Sequence, residues 1–231
     1  MRKLYSLIKD DLSQLGIKIG RDALFQFLRR ERLLVLPRKK YTKTTNSKHW
    51  LRKHPNLLEE LVPSTPEQVM VSDITYLKTK DKVYYLSLVT DAYSRKILGH
   101  KLSHTLATEE VVKALKMAIG NCESTKGIVH HSDRGLQYAS SIYQEVLSKA
   151  EMLPSMTDGY DCYQNALAER VNGILKQEFL FVRCGSYEEL IHLVAESIHI
   201  YNTERPHLSL QMKTPEYVHQ KWLQDVRPTA I

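Results

Sequence analysis

The chain has 231 residues, of which 42% are hydrophobic, and a formal charge of +7. That length and content suffice for one moderate core with a small appendage. Its apolar runs are far shorter than the ~20 residues a membrane helix needs, and charges interrupt the N-terminus too early for a signal peptide. The expectation is a soluble cytoplasmic protein with no membrane partner. The three cysteines, Cys122, Cys162 and Cys184, form no CxxC pair, so they support neither a zinc knuckle nor a disulfide framework. The charge is unevenly spread. Residues 1–58 hold 15 Lys/Arg against 4 Asp/Glu, whereas residues 59–231 hold 18 against 22. A basic arm on a mildly acidic body points to a polyanion, and a solvated basic linker is the bland alternative.

In chain order, Leu4, Ile8, Leu12 and Leu15 recur at helical spacing until Gly16. Leu24, Phe25 and Leu28 begin a second helix, with Asp22 in its first turn and Arg29, Arg30 and Arg32 near its end, as the helix dipole favours. Residues 1–36 thus read as a small helix-turn-helix-like DNA-binding module. Residues 37–62 read as a basic linker. Its Arg38, Lys39, Lys40 and Lys43 are candidate phosphate contacts, and Tyr41 and Trp50 are candidate stacking surfaces.

The main domain is expected over residues 63–231. Val69, Val71, Asp73, Thr75 and Leu77 alternate along a strand over residues 69–77. Strands over 83–91 and 95–102 follow after short links, which predicts an antiparallel meander. Thr108 is the expected cap of a helix with Glu109 and Glu110 in its first turn. A buried strand over 127–131 ends at Asp133. Then come a helix over 141–149, a strand over 152–156, a loop over 157–165, and helices over 166–181, 187–201 and 215–222. The fold class is α/β. A mixed sheet is expected, with a three-strand antiparallel meander, added parallel strands and flanking helices, which is the order of an RNase H-like core.

Three acidic residues stand out. Asp73 is mid-strand, where aspartate is disfavoured. Asp133 sits just past a buried strand, a common place for site residues. Glu169 falls in the first turn of a helix, where Asn172 and Lys176 lie at i+3 and i+7 and share its face. Carboxylates crowded together repel, and oxygen-only ligands suit Mg²⁺ or Mn²⁺ rather than zinc. Taken singly, each of the three is more simply a surface charge or a cap. Adjacent His130 and His131 point to opposite faces of a strand, which favours packing or hydrogen bonding over one shared ion. Arg134 suits a phosphate or a carboxylate equally.

Several stretches resemble insertion-sequence transposases whose catalytic core is like that of retroviral integrases. They are VSDITY (71–76), HHSDRGLQY (130–138), NALAE (165–169) and LKQE (175–178), flanked by YNTERPHLSLQMKTP (201–215) and TTNSKHWLRKHPNLL (44–58). The 35 residues between Asp133 and Glu169 match the family's spacing. The resemblance implies that Asp73, Asp133 and Glu169 are a catalytic and metal-binding acidic triad holding two ions per site. It implies that Lys176 contacts the element's terminal DNA, and Arg134 and Asn172 are further candidate DNA contacts. Double-stranded DNA, at element ends and target, is the expected partner, with a homo-multimer formed on it near the nucleoid. Met70 stands where the family often has tryptophan, and Gln164 where many relatives have aspartate. The first 48 residues contain neither His nor Cys, unlike the zinc module of retroviral integrases. The chain resembles the second-frame product of two-frame elements, which makes an upstream-frame product a further expected partner. A non-catalytic DNA-binding regulator and an RNase H-like nuclease are the alternatives.

Overall fold

The computed structural model describes residues 2–35, 50–79, 82–158, 165–180 and 184–226. Arg38, Lys39, Lys40, Lys43, Tyr41, Cys162 and Gln164 lie outside the described residues.

The N-terminal module is two helices, α1 (Arg2–Gln14) and α2 (Arg21–Arg30). Gly16 ends the first with a left-handed φ of 71°. Its amide bonds Ser13 O, and the Ile17 amide reaches back to Leu12 O at 2.8 Å, a helix stop that suits glycine. Of their apolar side chains only Leu24 is buried.

The core is a five-stranded sheet in the order β3-β2-β1-β4-β5. Strands β1 (Val69–Lys78), β2 (Val83–Asp91) and β3 (Ile97–Ser103) form the antiparallel meander. Strands β4 (Val129–Ser132) and β5 (Leu153–Met156) run parallel to β1, each reached through helices. These helices are α3 (Thr108–Gly120), then α4 (Leu136–Ala139) and α5 (Ser141–Lys149). The mixed α/β sheet is therefore as the sequence pattern implies.

Alternation along β1 decides which residues face which layer. Met70 and Ile74 pack with α3 and α5 residues such as Leu115, Ala118, Tyr143 and Leu147. Leu77, with Leu86, Leu88 and Leu102, packs on the other face against α6 (Ala166–Ile174) and α7 (Tyr187–Thr203). Met70 is fully buried in the first cluster, so its effect is on packing. A last helix, α8 (Pro215–Val226), follows a short 3-10 turn at Leu208–Leu210. No described helix is long and apolar enough to cross a membrane.

Three expectations need correcting. Thr108 is the first residue of α3 rather than its cap; extended Ala107 precedes it, and no side chain caps the end. The helix expected over 166–181 leaves α-geometry after Ile174 and continues as a π-helical turn, Leu175–Phe179, closed by Leu180 N to Leu175 O at 2.7 Å. The four-residue α4 was not anticipated, because the LQYA segment carries too short a pattern to show a period.

Candidate active site

The sheet register brings two of the acids together. Parallel pairing of β1 with β4 sets Val69 against Val129 and Val71 against His131. That pairing ends at Val71 and His131; Asp73 lies further along β1, and Asp133 directly follows the last residue of β4. Both line one small pocket of about 20 Å³ with Thr75, Tyr76, Tyr85, Gln137 and Tyr138. That is room for about one water-sized group. A larger cleft of about 890 Å³, lined by residues such as Leu58, Pro63, Arg95 and Lys213, contains none of the three acids and offers no convergent chemistry.

Among the described residues, Asp73 is held by neutral donors only. Asn172 Nδ2 donates to its Oδ2 at 2.7 Å, and the Ile74 amide donates to its Oδ1 at 2.9 Å. Desolvation, then the charge of Asp133, and more weakly that of Glu169, push its pKa up to about 7 against those hydrogen bonds. Asp133 is fixed by a tight turn in which the Gly135 amide donates to its Oδ1 at 2.9 Å. A Cβ at Gly135 would stand 2.8 Å from that oxygen, so a larger residue there would push the Asp133 carboxylate aside.

Glu169 lies exposed in the first turn of α6, near enough for its charge to act on Asp73. Among the described residues, no three His, Cys, Asp or Glu side chains are gathered closely enough to enclose an ion. The structure thus sets Asp73 and Asp133 in one pocket, with Glu169 outside its lining.

Asn172 is buried, 5% exposed, and its amide is committed to Asp73. Lys176 places its Nζ 4.2 Å from the centre of the Tyr76 ring, at the edge of the same pocket. Arg134 pairs with Asp158 at 3.5 Å.

The paired histidines have structural roles. His130 Nε2 is 2.8 Å from Ser72 Oγ and 3.0 Å from the Tyr143 hydroxyl, and burial drives its pKa down to about 3, so the ring is neutral. His131 Nδ1 lies 2.8 Å from Ser155 Oγ on the other side.

Comparison with known proteins decides the family. Residues 63–162 match an integrase core domain family, and residues 150–215 match a second family of the same description. The chain is 34% identical over 220 residues to an uncharacterized 31 kDa protein of insertion element IS600 from Shigella sonnei, covering 94% of this chain and 81% of that one. It is 32% identical over 180 residues to the transposase for insertion sequence element IS904 from Lactococcus lactis, covering 73% of this chain and 70% of the relative.

The chain belongs to the insertion-sequence transposases with an integrase core domain.

By family its chemistry is polynucleotidyl transfer on DNA. A putative transposase of IS986/IS6110 from Mycobacterium tuberculosis is 33% identical, and there the match spans 63% of the relative's length. Among solved structures, the catalytic core domain of HTLV-2 integrase in complex with magnesium superposes with a TM-score of 0.54 at 21% identity, covering 68% of this chain and 98% of that one. A simian T-cell lymphotropic virus intasome chain gives 0.61 at 20% identity, covering 81% of this chain and 63% of that chain. These likenesses establish the RNase H-like fold of this transposase.

Several site residues carry no sequence signal of their own. Tyr138 is 2% exposed and its hydroxyl has no hydrogen-bond partner among the described residues, yet the residue lines the pocket of Asp73 and Asp133. Asn165 Nδ2 donates to Ser72 O at 3.1 Å, tying the start of α6 to β1. Tyr138 and Asn165 both lie inside stretches that carried the family resemblance, which was the available clue.

Proposed function

We propose that this transposase cuts DNA strands at its element's ends and joins the freed 3′-hydroxyls to target DNA, at a divalent-metal site of Asp73, Asp133 and Glu169. One observation carries the reading: Asp73, on the central strand, and Asp133, just past the end of the neighbouring strand, line one pocket, with Asp73 desolvated and, among the described residues, bonded by neutral donors only. Two carboxylates ~5 Å apart repel by roughly 3 kcal/mol at an effective dielectric of ~20, so the pair suits a hard cation. All-oxygen ligands favour Mg²⁺ or Mn²⁺, and the proposal takes two ions. When bound, such a pair activates the attacking oxygen and stabilises the leaving oxygen of an in-line phosphoryl displacement.

The chain's own residues do the remaining work. Asn172 and the Ile74 amide orient the two oxygens of Asp73, and the Gly135 amide fixes Asp133. Glu169 completes the set from the first turn of α6, and its exposed side chain has to turn inward to do so. Lys176 at the pocket edge and Arg134 meet DNA phosphates, and the basic arm (Arg38, Lys39, Lys40, Lys43) holds flanking duplex. Joining requires two DNA ends at once, so we take the working form to be a multimer on DNA. The HTLV-2 integrase cores described as dimeric and trimeric support that reading by analogy of fold.

The test is product analysis. The chain is incubated with Mg²⁺, labelled duplex ending in the inverted repeats that flank its coding region, and a target duplex. Joined strands are expected from the wild type. Asp133→Asn should give neither cuts nor joints while retaining DNA binding. Cuts without joints would make it a nuclease, and an active Asp133→Asn protein would end the assignment.

A further inference from the structure

The π-helical turn Leu175–Phe179 interrupts a helix that the sequence would continue, and it carries Lys176. Single π-turns recur at functional sites because they re-aim side chains that an α-helix would place elsewhere. Such a turn needs something to hold it. Here Glu178, two residues past Lys176, receives a two-pronged bond from Arg205. Nε donates to Oε2 and Nη2 to Oε1, each at 2.6 Å.

Arg205 is itself immobilised. Its side chain is 5% exposed, its amide bonds Ile200 O at the end of α7, and its Nη1 lies 3.1 Å from His207 Nε2. His207 is locked in turn by an isolated bridge to Lys213. Burial holds the His207 ring neutral, with a pKa near about 3, so it can accept from the guanidinium. A planar fork matched to a carboxylate fixes direction as well as distance, which a lysine in the same place would not do. Lys3 of α1 also reaches Glu178, at 3.5 Å, so the N-terminal helices meet the core at this same carboxylate.

We propose that Arg205 and Glu178 are positioning residues that hold the π-turn and thereby aim Lys176 at DNA beside the pocket of Asp73 and Asp133. Neither residue touches the reacting atoms; the pair acts through Lys176. Lys176 is the second residue of the turn, so the backbone that carries it is the backbone the turn shapes. If the turn relaxed to α-geometry, the torsions under Lys176 would change and its Nζ would shift from its place over the Tyr76 ring. The inference rests on the reading of Lys176 as a phosphate contact.

The experiment measures affinity for element-end duplex as a function of salt, with thermal unfolding recorded in parallel. Four proteins are compared: wild type, Lys176→Ala, the paired variant Glu178→Leu/Arg205→Met, and the triple variant. The paired replacement is apolar because removing both members of an ion pair with a buried guanidinium is commonly tolerated, whereas removing Glu178 alone strands the buried charge of Arg205. Lys176→Ala should lower the slope of log K against log salt by about one, the loss of one phosphate contact. The paired variant should show the same loss although it retains Lys176, and the triple variant should show no further loss.

A paired variant that binds as the wild type does would overturn the proposal. So would losses that multiply in the triple variant, which is the behaviour of a purely structural ion pair. A Lys176→Ala protein with unchanged slope and affinity would instead refute the phosphate contact, and the inference with it. Should the paired variant not fold, Glu178→Gln is carried through the same comparison. It removes the charge while keeping the shape, and the same absence of any added loss with Lys176→Ala is required.

Discussion

Asn172 Nδ2 donates to Asp73 Oδ2 at 2.7 Å, a bond that ties helix α6 to the central strand at the acidic pocket. The other amide atom of Asn172, Oδ1, is buried without a hydrogen-bond partner among the described residues. The side chain is therefore specified by its single donor. Asn172→Ala should remove the stronger restraint on the Asp73 carboxylate and slow strand cleavage by about 10²-fold, the scale of a misplacement near 1 Å. Single-turnover cleavage at saturating DNA would measure it, and an unchanged rate would show that Asp73 needs no such restraint.

The raised pKa of Asp73 has a stability consequence in metal-free protein. Its folded value near about 7 exceeds the ordinary 3.8, so the folded state holds the proton more tightly than the unfolded chain. The contribution is fully present below about pH 4 and is lost as pH rises through about 7. A shift of that size corresponds to a few kcal/mol, on the order of 1.4 per pKa unit. Urea unfolding in EDTA across pH 4–8 should show the wild type losing stability relative to Asp73→Asn as pH rises. Parallel curves would remove the desolvated carboxylate from the account.

Gly135 marks the tightest point beside Asp133. The added Cβ of Gly135→Ala would meet Asp133 Oδ1 at 2.8 Å and Tyr138 Cδ2 at 3.4 Å. The protein should fold, since only the turn is affected, but cleavage should fall by about 10²-fold through displacement of Asp133. Circular dichroism together with a cleavage assay separates the two outcomes.

Tyr138 offers a prediction of opposite sign. Its buried hydroxyl lacks a partner among the described residues, and a stranded polar group costs roughly 1–3 kcal/mol. Tyr138→Phe should therefore stabilise the metal-free protein by about 1 kcal/mol while preserving the edge-on ring contact with Tyr143 at 5.3 Å. A loss of stability in denaturant titration would mean that the hydroxyl has a partner in solution.

Much of this was legible in the residues. The alternation of Val69, Val71, Asp73, Thr75 and Leu77 gave the central strand and put an acid on its α6 face, because a pleated strand leaves few other places for it. Short links gave the meander, and the run ending at Asp133 gave a parallel strand. The π-turn at Leu175–Phe179 was not legible. Leu167, Val171, Ile174 and Leu175 suit continued α-helix, and the Arg205 fork that grips Glu178 within the turn comes from 27 residues further along the chain. Asn172 read as a neighbour of Glu169 and Lys176 on one helix face and as a candidate DNA contact. Its burial against Asp73 depends on how closely α6 lies over β1, which helical spacing alone does not set. Gly99 was silent for the same reason. A Cβ there would lie 2.1 Å from Ala114 O, an approach of α3 to β3 that only the folded packing reveals.

The central claim is that Asp73, Asp133 and Glu169 jointly bind divalent cation. It is tested most directly by titrating Mg²⁺ and Mn²⁺ into the metal-free chain at pH 8 and following thermal unfolding, with Asp73→Asn, Asp133→Asn and Glu169→Gln beside the wild type. Saturable stabilisation of the wild type is expected, about 2.7 kcal/mol at a hundredfold excess over Kd, and it should be lost or sharply weakened in each variant. Equal stabilisation of the wild type and all three variants would contradict the account.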